Sequence, residues 1–187
     1  MKILFIHGFG GNSKEFDGII SHLRQRGNFR PLFYNYKERF GTVSLRTLAR
    51  RLSVIIEKEK PDALLCLSQG GIIGSLALES YVKTKSCRKC ITICTPFRGT
   101  WMAYLSGRIG VRQLRPGSEL LTYLEGKIRA GRAEYFSAWN PLDLMVIPGS
   151  SGNLSYARKS LMVISLLHPT TWNSVKAFKF IEECLAK

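Results

Sequence analysis

The segment Cys66–Gly71 places one serine between two apolar stretches of the chain. A serine in a sharp turn between a strand and a helix has an exposed hydroxyl, which can attack a carbonyl carbon once a base removes its proton. Such a turn needs small residues two positions before and after the serine, because larger side chains would collide. Gly70 meets this requirement, and Cys66 stands where glycine is usual. The segment therefore predicts a relaxed form of a nucleophile turn, with Ser68 as the nucleophile.

A serine nucleophile requires a base, and the base requires a carboxylate that fixes its tautomer. Among the three histidines, His168 follows the last predicted strand, whereas His7 lies in the first loop and His22 on a solvent-facing side of a helix. Asp143 is the only carboxylate between the last two predicted strands. His168 and Asp143 thus fall at the carboxyl ends of strands, where an open α/β sheet binds ligands. We predict a triad of Ser68, Asp143 and His168, in the chain order typical of this turn.

The glycine-rich segment 7–12 follows the first predicted strand. Its backbone N–H groups are suited to hold the negative charge that develops on a carbonyl oxygen under attack. We predict that the two donors of this oxyanion hole are the backbone N–H groups of Phe9 and Gln69. The residues predicted to support them are His7, Gly8, Gly10 and Gly70.

Two other kinds of site fit the sequence less well. The segment Gly8-Phe9-Gly10 also suits a dinucleotide-binding turn, but Ser13 occupies the third glycine position and no acidic residue ends the second predicted strand. Cys87, Cys90 and Cys94 approach a metal-ligand spacing, but a zinc site needs four ligands and no second Cys/His pair lies nearby. We therefore predict neither a cofactor nor a metal.

Short apolar runs alternate with amphipathic stretches along the whole chain, which is typical of a parallel sheet flanked by helices. We predict a single domain over residues 1–187, with a three-layer, doubly wound α/β sandwich and a mostly parallel sheet. Helices are expected from about residues 16, 44, 70 and 171 onwards. The six predicted strands are 2–6, 31–36, 63–67, 90–94, 135–139 and 160–166.

The composition excludes some classes of protein and leaves one unusual value. With 45% hydrophobic residues in 187, wholesale disorder is excluded, and no apolar run approaches the roughly 20 residues of a membrane span. Five cysteines at irregular spacing and an apolar run at 3–6 too short for a signal peptide favour a reducing, cytoplasmic location. The unusual value is the net charge of +15, from 28 Lys and Arg against 13 Asp and Glu.

The turn at Ser68, the glycine-rich loop and the order of the triad resemble the α/β-hydrolase superfamily, and within it the small lipases and esterases. The resemblance covers nearly the whole chain and includes the segments 95–100 and 115–121, with Phe97 in place of the usual histidine. The chain opens on what would be the third strand of that family. The resemblance therefore implies a minimal, nearly capless fold and the hydrolysis of a carboxylic ester through an acyl-enzyme, without a cofactor.

The substrate side of the predicted site is an apolar wall beside an irregular, arginine-rich region. Residues 98–132 are predicted to include a partial lid, with a mobile segment at 107–112. The alternative for residues 101–105 is a helix that packs on the sheet. The predicted pocket residues are Phe97, Trp101, Met102, Tyr104, Leu105 and Leu144.

Three functions remain open beside ester hydrolysis. A thioesterase or an acyltransferase would use the same triad, and a non-catalytic binding module would keep the fold alone. The sequence does not indicate nucleic-acid binding, because the basic residues are scattered and carry no recognised nucleic-acid motif. The basic stretch 98–132 lies beside the predicted mouth, so the charge suggests docking on an anionic membrane surface or steering of an acidic ester. The alternative is that the charge serves only solubility.

Overall fold

The computed structural model describes residues 1–37, 40–83, 87–131 and 133–186. Its strands form one six-stranded sheet in the order β2-β1-β3-β4-β5-β6, and every neighbouring pair is parallel. The predicted sandwich is therefore confirmed, with a sheet that is wholly parallel in the described residues. The strands are β1 (Lys2–Ile6), β2 (Arg30–Tyr34), β3 (Ala63–Leu67), β4 (Lys89–Ile93), β5 (Glu134–Trp139) and β6 (Lys159–Met162).

Successive residues of the central strands point to opposite sides of the sheet, and they are apolar on both sides. Helices therefore cover both faces of the sheet. On one face, Leu4 and Leu64 pack into the same core as the second, third and fifth helices. On the other face, Phe5 and Leu65 pack with the first and last helices. The helices are α1 (Asp17–Arg24), α2 (Leu45–Glu59), α3 (Gln69–Ser80), α4 (Ile109–Arg112), α5 (Glu119–Arg129), α6 (His168–Trp172) and α7 (Val175–Ala186). Short 3-10 helices occur at Ser13–Phe16, Trp101–Leu105 and Gly149–Gly152.

The carboxyl-terminal part of the chain departs from the predicted elements. The last strand ends at Met162, four residues early, and only the N–H of Val163 continues its ladder, to the carbonyl of Trp139. The predicted final helix is two helices, α6 and α7. Pro169 stands in the first turn of α6, where the missing N–H of a proline costs no hydrogen bond.

The predicted lid region 98–132 is too long at its carboxyl end. Helix α5 buries Leu120, Leu121 and Leu124 in the core beside α3, so it belongs to the helical layer. Residues 101–118 carry the 3-10 helix and α4, and Arg132 lies outside the described residues. Within the described residues, no helix combines the length and apolar character that a membrane crossing requires.

Candidate active site

Ser68 occupies a strained turn between β3 and α3. Its φ of 50° and ψ of −124° lie in a region that residues with a side chain rarely adopt. The turn is held by the N–H of Ser68, which donates to the carbonyl of Ile93 at 2.8 Å. A Cβ at Gly70 would collide with the backbone carbonyls of Ile6 and His7, so glycine is required there. The predicted turn geometry is thus present at Ser68.

Cys66, the residue that departs from the usual glycine, fits because a glycine faces it. Its thiol is fully buried, and a Cβ added at Gly74 of α3 would lie 2.8 Å from its Sγ. That distance is shorter than any normal contact, so the thiol fills the space that the missing side chain leaves. The close approach of α3 to β3 is thereby kept with a cysteine in the strand.

His168 and Asp143 meet in a buried hydrogen bond of 2.6 Å between Nδ1 and Oδ2. The second oxygen of Asp143 accepts the backbone N–H groups of Met145 and Val146 at 2.9 and 3.0 Å. Burial by itself raises the pKa of Asp143, but the hydrogen bond and charge of His168 and the two N–H groups together hold that pKa below its usual value. The carboxylate therefore stays ionised and fixes the proton of the imidazole on Nδ1.

Asn140 connects the loop after β5 to α6, which begins at His168, and to the segment just before it. Its Nδ2 donates to the carbonyl of Ser165 at 2.7 Å and to Oγ1 of Thr171 at 3.2 Å. Its Oδ1 accepts the N–H groups of Leu142 and Ser165. Because Asn140 and Thr171 are buried, this frame fixes the position of His168 relative to the loop that carries Asp143.

Cys94, which the sequence analysis considered only as part of a rejected metal-ligand spacing, lies beside the predicted triad. Its Sγ, a carboxylate oxygen of Asp143 and a ring nitrogen of His168 lie within 4.8 Å of one another. In the described part of the chain, this is the one group of three Cys, His, Asp or Glu side chains close enough to share a metal ion. Nδ1 of His168 and Oδ2 of Asp143 lie only 2.6 Å apart in a direct hydrogen bond, which leaves no space for an ion bound to both atoms. We therefore treat the group as a hydrogen-bonded one.

The first loop forms a tight turn against Ser68. The N–H of Gly11 donates to the carbonyl of Gly8 at 3.3 Å, and Gly10 adopts a φ of 66°, which favours glycine. A Cβ at Gly8 would lie 3.1 Å from Cβ of Ser68, so the loop backbone approaches the serine closely. The N–H of Gln69 is the first of α3, and an N–H in this position has no acceptor within the helix.

A cavity of about 590 Å³ joins these elements. Ser68 and His168 both line it, as do three predicted members of the oxyanion region, Gly8, Phe9 and Gln69. Asp143 lies behind the imidazole and away from the cavity lining. The structure therefore brings Ser68, His168 and the first loop to one apolar cavity at the carboxyl ends of the strands.

The predicted pocket residues divide into two groups. Met102 and Leu105 line the cavity, whereas Phe97 is buried in the core with its ring edge-on to Tyr135. Phe97 does not line this cavity, because the turn that follows β4 directs its side chain into the core. Three more predicted pocket residues are exposed and are not part of the lining in the described residues; they are Trp101, Tyr104 and Leu144.

The sequence analysis missed several residues of the cavity wall, and most of them lie in short, irregular elements. Ala103, Val111 and Leu114 form apolar surface, and Glu15 and Arg108 bring the two charges. A five-residue 3-10 helix and a four-residue α-helix are too short for a hydrophobic period, so no sequence signal indicates which of their side chains face inwards.

The fold is that of the α/β-hydrolases. A lipase of Bacillus licheniformis, BlEst2 in its mature form, matches 98% of this chain and 91% of its own, with 15% identity and a TM-score of 0.77. The ydeN gene product of Bacillus subtilis matches 100% and 99%, with 13% identity and a TM-score of 0.73. An enol-lactonase of Burkholderia xenovorans matches 100% and 91%, with 13% identity and a TM-score of 0.69.

Comparisons of the sequence itself gave no match. No protein-family model matches the chain, and no curated protein is similar to it in sequence. At identities of 13–15%, the structural matches establish a common fold. The chain is an α/β-hydrolase in fold, with a six-stranded sheet and one cavity that contains both Ser68 and His168.

Proposed function

We propose that the protein is a serine hydrolase of carboxylic esters. The observation that carries the proposal is the strained Ser68 in the same cavity as an imidazole whose Nδ1 is bound to a buried carboxylate. Nε2 of His168 is then the nitrogen left to accept a proton from the cavity side. The lipase and the enol-lactonase among the structural matches support the same reaction class.

Acylation of Ser68 is the first half of the proposed reaction. Nε2 of His168 takes the hydroxyl proton while Oγ bonds to the ester carbonyl carbon, and Asp143 stabilises the imidazolium. The carbonyl oxygen becomes negative and is held by the N–H groups of Phe9 and Gln69, the latter at the positive end of α3. The bond to the leaving oxygen then breaks, and the alcohol takes the proton from His168.

Deacylation repeats the same proton movements with water. Water gives one proton to His168, its oxygen bonds to the acyl carbon, and the bond to Oγ of Ser68 breaks. Ser68 regains its proton from His168, and the carboxylic acid leaves. The apolar cavity of about 590 Å³ is of the size that holds a small-molecule or acyl ligand.

Removal of the Ser68 hydroxyl tests the proposal. We expect Ser68→Ala to lower kcat for a short-chain p-nitrophenyl ester by a factor on the order of 10⁶. Ser106→Ala is the matched control, because Ser106 also lines the cavity but lies outside the strained turn, and it should keep at least a large part of the activity. Ester turnover that survives Ser68→Ala would contradict the proposal.

Two alternatives predict different results with the same protein. A thioesterase or acyltransferase would turn over acyl-thioesters, or transfer the acyl group to an alcohol, faster than it hydrolyses simple esters. A binding module would neither hydrolyse esters nor become labelled at Ser68 by a fluorophosphonate. A series of esters and thioesters of increasing acyl length, assayed with and without an alcohol acceptor and combined with fluorophosphonate labelling, therefore separates the three functions.

We further propose an anionic membrane surface as the partner of the cavity mouth. Phe40 and Leu105 line the cavity and are 69% and 79% exposed, so apolar surface surrounds the entrance. Arg108 and Arg112 are exposed beside it, and in the described residues no carboxylate lies within 4.0 Å of either. Apolar and basic side chains together suit a surface of anionic lipid headgroups.

Vesicle binding tests this partner. We expect the protein to sediment with phosphatidylcholine vesicles that contain phosphatidylglycerol, and much less with phosphatidylcholine alone. Leu105→Ser should weaken the binding, whereas Val54→Ser, an exposed position on α2 that does not line the cavity, should leave it unchanged. Equal binding to both kinds of vesicle would contradict a role for the basic residues.

A further inference from the structure

Three hydrogen-bond donors lie close to the carbonyl oxygen of Gly8, two from the first loop and one from outside it. Nδ1 of His7 lies 2.8 Å from this oxygen, the hydroxyl of Tyr36 3.2 Å, and the N–H of Gly11 3.3 Å. Because a carbonyl only accepts, the Nδ1 of His7 must carry the proton. Donors that converge on one carbonyl polarise its peptide, which makes the N–H of the same peptide a stronger donor. That N–H belongs to Phe9.

The direction of the Phe9 N–H follows from the direction of the Gly8 carbonyl. The peptide between the two residues is trans, so its C=O and N–H point in opposite directions. Tyr36 and His7 are buried, and neither lines the cavity. The carbonyl therefore points away from the cavity lining, and the N–H of Phe9 points to the opposite side.

Tyr36 also contacts the residue that carries the second proposed oxyanion donor. Its hydroxyl lies 2.9 Å from the carbonyl of His7 and 3.3 Å from Oε1 of Gln69. The Nε2 of Gln69 is buried without a partner in the described residues. A rotation of this carboxamide by 180° satisfies Nε2, which then donates to the oxygen of Tyr36. The single proton of Tyr36 is thereby left for the carbonyls of His7 and Gly8.

We propose that Tyr36 is a positioning residue for the oxyanion hole, because its hydroxyl holds the Gly8–Phe9 peptide with the N–H directed at the cavity. This inference rests on the proposed hydrolase function. Tyr36 does not touch the substrate in this account; it acts through the loop. Its ring is fixed by stacking on His7, with ring centroids 4.1 Å apart and planes inclined by 7°.

Tyr34 is a close internal control for Tyr36. Both rings are 7% exposed, their centroids are 5.3 Å apart, and each hydroxyl donates to a backbone carbonyl. The acceptor of Tyr34 is Leu48 of α2, at 2.9 Å, which is not part of the first loop. Tyr34→Phe removes one buried hydrogen bond to α2, whereas Tyr36→Phe removes the contacts of its hydroxyl with the first loop and with Gln69. Only the change at Tyr36 therefore releases the loop.

The experiment compares Tyr36→Phe with Tyr34→Phe. Loss of a whole oxyanion donor costs about 10²–10³ in kcat, and a donor that is kept but less well aligned should cost about tenfold. We expect kcat of Tyr36→Phe to fall about tenfold with KM within about twofold, and its affinity for a boronic acid, which forms an anionic tetrahedral adduct on the serine, to fall by a similar factor. Tyr34→Phe should change each value by less than about twofold.

Unfolding in urea separates positioning from stability. Tyr36→Phe should lose more stability than Tyr34→Phe, because the hydroxyl of Tyr36 bonds both to the first loop and to Gln69. The kinetic comparison is therefore made where the urea curves show both variants to be fully folded. Equal kcat and boronic-acid affinity in Tyr36→Phe and Tyr34→Phe would overturn the role of Tyr36. Activity that survives Ser68→Ala would instead overturn the proposed function, so the two failures are distinguishable.

Discussion

Ser68 and Cys94 occupy equivalent positions at the ends of two neighbouring strands. Each directly follows its strand, and each has a positive φ, of 50° and 52°. The N–H of Ser68 donates to Ile93 at 2.8 Å, and the N–H of Cys94 donates to Ala138 at the same distance, one strand further along. The two residues thus share a positive φ and the same kind of backbone hydrogen bond to the next strand.

Their surroundings differ. Ser68 begins helix α3 and lines the cavity, whereas Cys94 is buried against Asp143 and His168. Burial and then the charge of Asp143 raise the pKa of the Cys94 thiol well above its usual value, so the thiol stays protonated and unreactive. A strained turn is therefore not enough to make a nucleophile; access to the cavity and a free helix N-terminus distinguish Ser68.

The largest effect that sharpens this comparison is expected at Asp143, which contacts His168, the proposed base. Asp143→Asn should lower kcat for a p-nitrophenyl ester by about 10⁴, because a neutral amide does not hold His168 in the required tautomer. Asp17→Asn, an exposed carboxylate of α1, serves as the control for the change in charge and should leave kcat unchanged. Similar kcat values for the two variants would remove Asp143 from the mechanism.

A smaller effect is expected at Cys94. Cys94→Ala removes the thiol beside His168 but leaves the hydrogen bond between His168 and Asp143, so kcat should fall by less than about tenfold. Iodoacetamide should react with the folded wild type far more slowly than with the unfolded chain, because all five cysteines are buried. A fall in kcat as large as that of Asp143→Asn would make Cys94 part of the catalytic machinery.

The smallest effect concerns stability and pH. The folded pKa of Asp143 lies below its unfolded value of about 3.9, so the unfolded chain binds more protons and the carboxylate contributes stability above that value. This contribution should disappear as the pH falls from about 4 through the folded pKa. The free energy of unfolding should therefore decrease less steeply in Asp143→Asn than in the wild type over that range. Parallel curves for the two proteins would show that Asp143 titrates normally.

Local sequence patterns were sufficient for the sheet and for the placement of Ser68, Asp143 and His168 at strand ends. Each of these predictions depends on an apolar run of about five residues and on what directly follows it. The roles inferred for Asn140 and Tyr36 depend instead on contacts with residues 25 to 33 positions away in the chain, which no local pattern contains. The cytoplasmic location and the single domain stay predictions.

Local sequence patterns did not predict which apolar side chains line the cavity. Phe97 and Leu105 both suit an apolar wall by residue type, yet one is buried in the core and the other lines the cavity. The direction of each side chain is set by the turn that follows β4 and by the 3-10 helix at Trp101–Leu105, neither of which has a repeating hydrophobic period.

Fluorophosphonate labelling, with the modified peptide identified by mass spectrometry, tests the central claim most directly. The account predicts one label on wild-type protein, at Ser68, with the same label on Cys94→Ala and none on Ser68→Ala. Heat-denatured wild type should not be labelled, because the reactivity belongs to the folded site. Labelling of folded Ser68→Ala, or no labelling of folded wild type, would contradict the assignment of Ser68 as the nucleophile.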